Sequence, residues 1–206
     1  WVRDHDASFE MNEPDAYALE EALRLKEQHG GEVVVCVAGP SRVSQVIREA
    51  LARGADRAVH VQHDELAFAD ANVVASSLAH AMVSEQFDLV LTGLQSDDQG
   101  FGQTGVILAE RLGLPHATIV MEVDAGGADT IRVKRELEGG WFQWVRMPTP
   151  ALLTIQSGIN QLRYATLKGI MAAKKKEVRV VEIQELQPAG QHIVHLYVPE
   201  KEKATR

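Results

Sequence analysis

The sequence lacks a second cysteine, a long hydrophobic run and an excess of positive charge. Its one cysteine, Cys36, lies in an apolar run, so no disulfide forms within the chain and the thiol is interpreted as a buried small hydrophobe. No apolar run reaches the length of a membrane span, so we predict no membrane insertion. The net charge of -8 argues against broad nucleic-acid binding, which needs a basic surface.

Residue patterns typical of catalysis are missing as well. The 8 histidines are scattered, and no His/Cys cluster has the spacing of metal ligands. No nucleophile–base pair is recognisable, and the adjacent Asp97 and Asp98 would point to opposite faces of a strand rather than form an acid/base pair. These absences predict that the chain has no metal site and is not an enzyme on its own.

The residues that are present favour one α/β domain. Hydrophobic residues make up 45% and charged residues 24% of the 206 residues, which suffices for one hydrophobic core. Amphipathic stretches alternate with β-branched runs from Pro14 to Gly113, which predicts a parallel sheet with helices on both faces. The residues from Ala117 to Met147 predict an antiparallel meander, and those from Ala151 to Gln156 predict a strand that returns to the main sheet.

The stretch from Asp88 to Gly113 carries the clearest binding pattern. A strand, a polar glycine loop and a helix follow one another there, so backbone N–H groups and a helix dipole point to one place. Gly100, Gly102 and Gly105 match G-x-G-x-x-G, but they follow the strand later than in dinucleotide-binding folds. The stretch is interpreted either as a phosphate or nucleotide site, or as a turn and helix start without a ligand.

Other segments give expectations about the surface. Glu20 and Glu21 are expected on a solvated helix face. The segment from Tyr164 to Lys176 predicts a helix whose terminal lysines are either solvated or form a docking patch for an acidic partner. The apolar segment from His192 to Val198 predicts an arm laid on a partner subunit. Three aromatic residues are expected in the core or at an interface: Trp141, Phe142 and Trp144.

Five segments carry a resemblance to a known family: MNEPDAYALEEALRLKE, GADRAVHV, QSDDQGFGQTGVILAERLGLP, VKRELEGG and NQLRYATLKGIMAAKKK. Through them the chain resembles the electron-transfer flavoprotein β subunit over essentially its whole length. The resemblance implies an adenine-nucleotide-hydrolase-like α/β fold and a heterodimer whose α subunit carries most of an FAD. It also implies a structural AMP in the β subunit. Electrons would pass from acyl-CoA dehydrogenases of fatty acid oxidation, or other dehydrogenases, to a quinone oxidoreductase or another acceptor.

The resemblance further implies which residues bind the nucleotide. Gln103 and Thr104 would meet the AMP phosphate at a helix start, and Asp97 or Asp98 would lie towards the ribose. The complete implied set is Asn12, Glu13, Pro14, Asp15, Ala38, Gly39, Asp97, Asp98, Gln99, Gly100, Phe101, Gly102, Gln103 and Thr104.

A second implied site binds proteins. Leu167 falls where the family presents an apolar anchor to its dehydrogenase partner, and Lys168 replaces a proline that often follows this anchor. Glu136 aligns with an acid that resembles a latch for an arginine of the mobile FAD domain. The implied recognition segment consists of Arg163, Tyr164, Ala165, Thr166, Leu167, Lys168, Gly169, Ile170 and Met171.

The resemblance also sets expectations about organisation. Residues 1–183 would form the nucleotide-binding domain, and residues 184–206 an arm that packs on the α subunit. The family's first strand and any targeting segment are expected to be absent from this chain, which would leave a gap beside the AMP site. Two alternatives stay open: an electron-bifurcating member with a second FAD in place of AMP, and a homodimeric nucleotide-binding stress-type protein. The expected compartment is the bacterial or archaeal cytoplasm, or the mitochondrial matrix of a eukaryote.

Overall fold

The computed structural model describes residues 7–127, 129–195 and 197. Its helices are α1 (Glu13–His29), α2 (Ser44–Arg53), α3 (Ala71–Met82), α4 (Thr104–Leu112) and α5 (Leu167–Ala173). Its strands are β1 (Val34–Gly39), β2 (Arg57–Gln62), β3 (Leu89–Gly93), β4 (His116–Asp124), β5 (Thr130–Glu136), β6 (Phe142–Pro148), β7 (Ala151–Ile155) and β8 (Val178–Glu182). The mixed α/β fold with parallel strands is therefore confirmed.

The strands form two sheets. One sheet has the order β1-β2-β8 and is parallel throughout. The other has the order β3-β7-β4-β5-β6, in which β3, β7 and β4 are parallel and β5 and β6 are antiparallel. The antiparallel meander and the return of β7 between β3 and β4 are as predicted from the turn signals and the apolar run.

A cavity of about 970 Å³ separates the two sheets, and we call it the inter-sheet cavity. Residues Val34 to Ala38 of β1 and Leu89 to Gly93 of β3 line it, together with apolar side chains such as Leu19 and Leu78. Among the described residues β1 pairs with β2 and β3 pairs with β7, so each strand has one open edge on this cavity. The expectation that a first strand is absent stays a prediction.

Helices cover both faces of the sheets. On one face Leu23 of α1 packs with Ile47 and Leu51 of α2 in one buried cluster. On the other face Ala75 of α3 packs with Leu108 of α4 against the strands of the second sheet. These apolar positions recur at helical spacing in the sequence, which is why the helices were predictable. None of the described helices is long and apolar enough to cross a membrane.

The structure narrows two expectations about the surface. The helix predicted from Tyr164 to Lys176 is only seven residues long in the structure, because Thr166 caps it and its side chain accepts a hydrogen bond of 3.0 Å from the Gly169 N–H. Of the aromatic residues expected in the core or at an interface, Trp141 just before β6 is 74% exposed and Trp144 of β6 is 41% exposed, so neither is in the core, and the interface stays a prediction. Arg132 lies over the Trp144 ring at 4.1 Å and partly covers it.

Glu85 joins the central strand β2 of the first sheet to the edge strand β8. Its carboxylate accepts hydrogen bonds from Arg57 of β2 at 2.8 Å and from Arg179 of β8 at 2.6 Å.

We expect Glu85→Gln to lower the free energy of unfolding by about 1–2 kcal/mol at neutral pH, because hydrogen bonds to a half-buried charge are lost. Urea unfolding measures the change. Glu49→Gln is the control, and it should cost under about 0.5 kcal/mol because the Glu49 side chain is 42% exposed and pairs with Arg53 within one helix turn.

The same variant has a defined pH dependence. The hydrogen bond from Arg57 lowers the pKa of Glu85, and the bond from Arg179 adds to this against the effect of desolvation. The stabilisation is therefore complete above the ordinary glutamate pKa and is lost as the pH falls through the lowered value. The difference between wild type and Glu85→Gln should shrink in acid. If the difference in the free energy of unfolding persists below the lowered pKa, the Glu85 side chain stabilises the fold through its packing and not through its charge.

Candidate functional site

The start of α1 meets the loop between β3 and α4 at one end of the inter-sheet cavity. Asn12 makes the connection, since its Nδ2 donates to the Gln95 carbonyl at 2.9 Å and its Oδ1 accepts from the Asp97 N–H at 2.9 Å. The Glu13 N–H donates to Asp97 Oδ2 at 3.1 Å. This loop follows the carboxyl end of a parallel strand, where ligands of open α/β sheets bind. Asn12 and Asp97 therefore shape the loop directly.

Asp15 holds the end of β3. Its Oδ1 accepts from the Gly93 N–H at 2.7 Å, and its Oδ2 accepts from Asn12 Nδ2 at 2.7 Å. The side chain lines the cavity, from which water reaches it. Desolvation by the surrounding residues raises the pKa of Asp15, the bonds from Asn12 and Gly93 oppose this shift, and the charge of Asp97 adds to it. Asp15 is thus a structural acceptor at the edge of the site.

The loop from Ser96 to Gly102 presents backbone groups to this end of the inter-sheet cavity, which we call the cavity mouth. Ser96 Oγ accepts from the N–H groups of Gln99 and Gly100 at 3.3 Å each. Gly100 and Gly102 have φ values of +68° and +62°, which glycine adopts without strain. Phe101 between them is 56% exposed, and Asp98 Oδ1 accepts from the Gln99 N–H at 2.6 Å. The loop conformation thus depends on its glycines and on Ser96.

Helix α4 begins at Thr104 without a side-chain cap from Gln103. Its first N–H groups lie at the cavity mouth, and uncapped N–H groups with the positive end of a helix dipole favour an anion there. Gly105 has a packing role, because a Cβ at this position would lie 2.6 Å from Thr92 Oγ1 and 2.7 Å from Thr154 Cγ2. Thr92 Oγ1 itself is buried and has no hydrogen-bond partner among the described residues.

The remaining implied nucleotide residues lie around the same opening. Ala38 at the end of β1 lines the cavity. Gly39 follows it, and its carbonyl accepts from the His63 N–H at 3.3 Å and lies 3.1 Å from His60 Nε2. Pro14 is buried against the end of β3, since a Cβ on Gly93 would lie 2.8 Å from Pro14 Cβ. The structure therefore brings the three segments of the implied set to one cavity, which is lined by residues of each segment, such as Asn12, Ala38 and Gln103.

A second surface feature lies around α5. Four apolar side chains are exposed there, and we call them the α5 patch: Tyr164 at 88%, Leu167 at 83%, Ile170 at 45% and Met171 at 71%. Lys168 is exposed beside them, and Ala165 packs inward on the buried cluster of α2. A Cβ on Gly169 would lie 2.3 Å from the Ala52 carbonyl oxygen, so glycine permits the close approach of α5 to α2.

Glu20 and Glu21 are not on a solvated face, which corrects the sequence expectation. Glu20 is 6% exposed and Glu21 is 7% exposed, because the chain between β7 and α5 covers this side of α1. Arg163 Nε and Nη2 donate to the two Glu20 carboxylate oxygens at 2.8 Å and 2.9 Å. Asn160 Nδ2 donates to Glu21 Oε2 at 3.0 Å. Arg163 thus faces α1 within its own chain.

Glu136 lies at the end of β5, opposite Phe142 of β6. Its carboxylate is 3.5 Å from Gln156 Nε2, and the residue is half-buried. A role as a latch stays a prediction. Among the described residues no group of three or more His, Cys, Asp or Glu side chains is arranged to hold a metal ion.

Comparison with known proteins identifies the family. The family model for the electron transfer flavoprotein domain matches residues 1–186. The chain belongs to the electron transfer flavoprotein family. It is 40% identical over 209 residues to the electron transfer flavoprotein subunit beta of Methylophilus methylotrophus, covering 96% of this chain and 79% of that protein. The subunits of that name from Bacillus subtilis (strain 168) and Bos taurus are 37% and 41% identical, cover 90% and 85% of this chain, and are themselves covered over 72% and 69%.

Membership in the electron transfer flavoprotein family supports the role of a β subunit, with flavin chemistry and an α subunit as partner. The family resemblance did not reveal every residue that shapes the opening. The Gln95 carbonyl and Ser96 Oγ organise the loop, and neither residue was in the implied set. Away from the opening, the pairing of Glu20 with Arg163 was also not predicted. The one local signal was Ser96 four residues before Gly100, a spacing at which a serine hydroxyl caps a turn.

Proposed function

We propose that this chain is the non-catalytic β subunit of a heterodimeric electron-transfer flavoprotein. In this role it binds AMP at the cavity mouth and helps an α subunit hold FAD. It also docks acyl-CoA or other dehydrogenases so that electrons pass through the flavin to a quinone oxidoreductase or another acceptor. The observation that carries the proposal is the joining of the α1 start and the β3–α4 loop by Asn12 and Asp97 within a chain of this family.

The chemistry of the cavity mouth supports a nucleotide. The uncapped start of α4, with Gln103 and Thr104, offers N–H donors that suit a phosphate. Asp97 has an exposed carboxylate whose second oxygen is available for a ribose hydroxyl, since one oxygen already accepts from Glu13. Asn12 and Asp15 would support the nucleotide site indirectly, because their polar atoms already hold the loop and the end of β3. When bound, FAD supplies the electron-accepting chemistry, while this chain helps to orient the FAD and docks the dehydrogenase.

Two exposed surfaces support protein partners. The α5 patch is an apolar cluster with polar residues around it, which is typical of an interface hot spot. The arm after β8 is a second candidate, for the α subunit. Asp70 Oδ2 accepts from the N–H groups of Gly190 and Gln191 at 2.6 Å and 2.9 Å, and beyond them Val194 is 95% exposed. The final part of the arm, residues 198–206, lies outside the described residues.

Cofactor content tests the proposal. The chain is co-expressed with its α subunit, the complex is purified and denatured, and the released nucleotides are quantified by chromatography. We expect one FAD and one AMP per heterodimer. Two FAD and no AMP would replace the proposal with the electron-bifurcating alternative. A homodimer of this chain that holds nucleotide without an α subunit would instead support the stress-type alternative, and size measurement by light scattering identifies it.

A further inference from the structure

The α5 patch projects from a helix that has little intrinsic stability. Helix α5 contains seven residues, and isolated helices shorter than about 12 residues are marginal in water. Its orientation must therefore come from contacts with the rest of the chain. Those contacts lie on α5, where Gly169 approaches Ala52 of α2, and on both sides of it, in the segment of residues 156–166 before it and at Lys176 after it.

We propose that Glu20 and Arg163 form a positioning pair that fixes the orientation of α5 and so presents Leu167 to a docking partner. The inference rests on the proposed docking function of α5. Neither residue needs to touch the partner. They act through the backbone between Arg163 and Thr166, the residue that caps the helix.

The geometry of the pair is specific. Arg163 Nε and Nη2 reach both Glu20 oxygens, and the Arg163 backbone N–H also donates to Glu20 Oε2, at 3.2 Å. One carboxylate therefore fixes the side chain and the main chain of the same residue. The Glu20 side chain is 7% exposed, so water competes little for these bonds. Bidentate pairs of this kind add directional specificity that a single point charge does not provide.

A second carboxylate extends the pair outward. Arg163 Nη1 donates to Glu27 Oε1 at 2.6 Å, about two turns further along the same face of α1. The Glu27 side chain is 59% exposed, so this contact is open to solvent. Glu20 and Glu27 thus hold the same guanidinium from a buried side and an exposed side. This difference provides an internal control, because only the buried contact should fix the main chain.

Further contacts tie down the flanks of α5. Asn160 Nδ2 donates to the Tyr17 carbonyl at 3.1 Å and to Glu21, which attaches the start of the segment to α1. On the other side Arg48 Nη1 donates to the Ala173 carbonyl at 2.7 Å, and Lys176 Nζ donates to the Leu51 carbonyl at 2.9 Å. Helix α5 itself thus lies against α2, while the chain that leads into it is attached to α1. Loss of the Glu20 contact releases the chain before α5.

The test uses the heterodimer with its flavin bound. The rate of flavin reduction by an acyl-CoA dehydrogenase, with octanoyl-CoA as the reductant, is measured as a function of heterodimer concentration. We expect Glu20→Gln to raise KM for the heterodimer about tenfold with little change in kcat, because binding must then order α5. Glu27→Gln should change KM by less than about twofold. Hydrogen exchange should become faster at residues 160–171 in Glu20→Gln and stay unchanged in the two sheets.

Other outcomes decide against the pair. An unchanged KM for Glu20→Gln, or equal effects of Glu20→Gln and Glu27→Gln, would overturn the inference while leaving the docking proposal to its own test at Leu167. If Glu20→Gln impairs folding, the double variant Glu20→Gln/Arg163→Gln removes both charges and leaves no buried charge unpaired. It should show the same rise in KM. A folded double variant with the KM of wild type would also contradict the positioning role.

Discussion

Leu167→Ala should slow electron transfer from an acyl-CoA dehydrogenase to the heterodimer about 30-fold at low concentration while FAD and AMP content stay full. Leu167 is 83% exposed in this chain, so truncation of its side chain should change the stability of the unbound protein little. In a complex it would be the central apolar anchor, and truncation of such an anchor costs about 2 kcal/mol, which corresponds to this factor. Stopped-flow reduction of the flavin by substrate-loaded dehydrogenase gives the second-order rate constant.

Val83→Ala is the matched control for this variant. Val83 is 80% exposed and follows the end of α3, away from α5. Its truncation removes a comparable exposed apolar side chain, so the rate constant should stay within about twofold of wild type. If Leu167→Ala has wild-type kinetics, Leu167 is not an anchor and the docking proposal fails. If both variants slow transfer equally, a general effect of surface hydrophobicity explains the result.

Gly102→Val should remove most of the AMP, to less than about a tenth of the wild-type content per heterodimer. The φ of Gly102 is +62°, and a residue with a Cβ loses about 1–2 kcal/mol in this region, more if it is β-branched. Space is not the cause, since the nearest atom to a Cβ there is the Leu94 carbonyl oxygen at 3.6 Å. The loop would therefore change conformation and move its N–H groups. Chromatography of the released nucleotide measures the loss.

Gly139→Val separates loss of the site from general strain. Gly139 has a φ of +69°, and a Cβ there would lie 3.6 Å from Trp141 Cδ1, so the two glycines are closely matched. It lies in the turn between β5 and β6, away from the cavity mouth. This variant should keep its AMP at a similar cost in thermal stability. Full AMP in Gly102→Val would mean that the phosphate lies elsewhere.

The sequence predicted local structure well where one segment carries its own signal. The alternating helices and strands between Pro14 and Gly113 were predicted, because each element carries its own hydrophobic period. The glycine loop before α4 was found from the sequence pattern of its own segment. Its connection to α1 was not deducible from chemistry alone, since Asn12 and Asp97 are 85 positions apart.

Burial of charge was predicted wrongly for a physical reason. Glu20 and Glu21 occupy helix positions that periodicity assigns to solvent, and only the fold reveals that Asn160 and Arg163 cover them. A hydrophobic pattern on one helix contains no information about polar partners more than 100 residues away. The exposed Trp141 is the converse case, because an aromatic side chain is expected inside until its surroundings are known.

The inter-sheet cavity has a consequence for the way this chain unfolds. The described strands of the two sheets share no hydrogen bonds across it. Each sheet packs on two hydrophobic clusters of its own, and α1 and α3 link the sheets because each helix contributes to a cluster on either side. Cooperativity in a protein depends on how much of the core is common to all its parts. Two halves joined mainly through helix side chains can melt at different temperatures, which would give a broad calorimetric transition with a van't Hoff enthalpy below the calorimetric one.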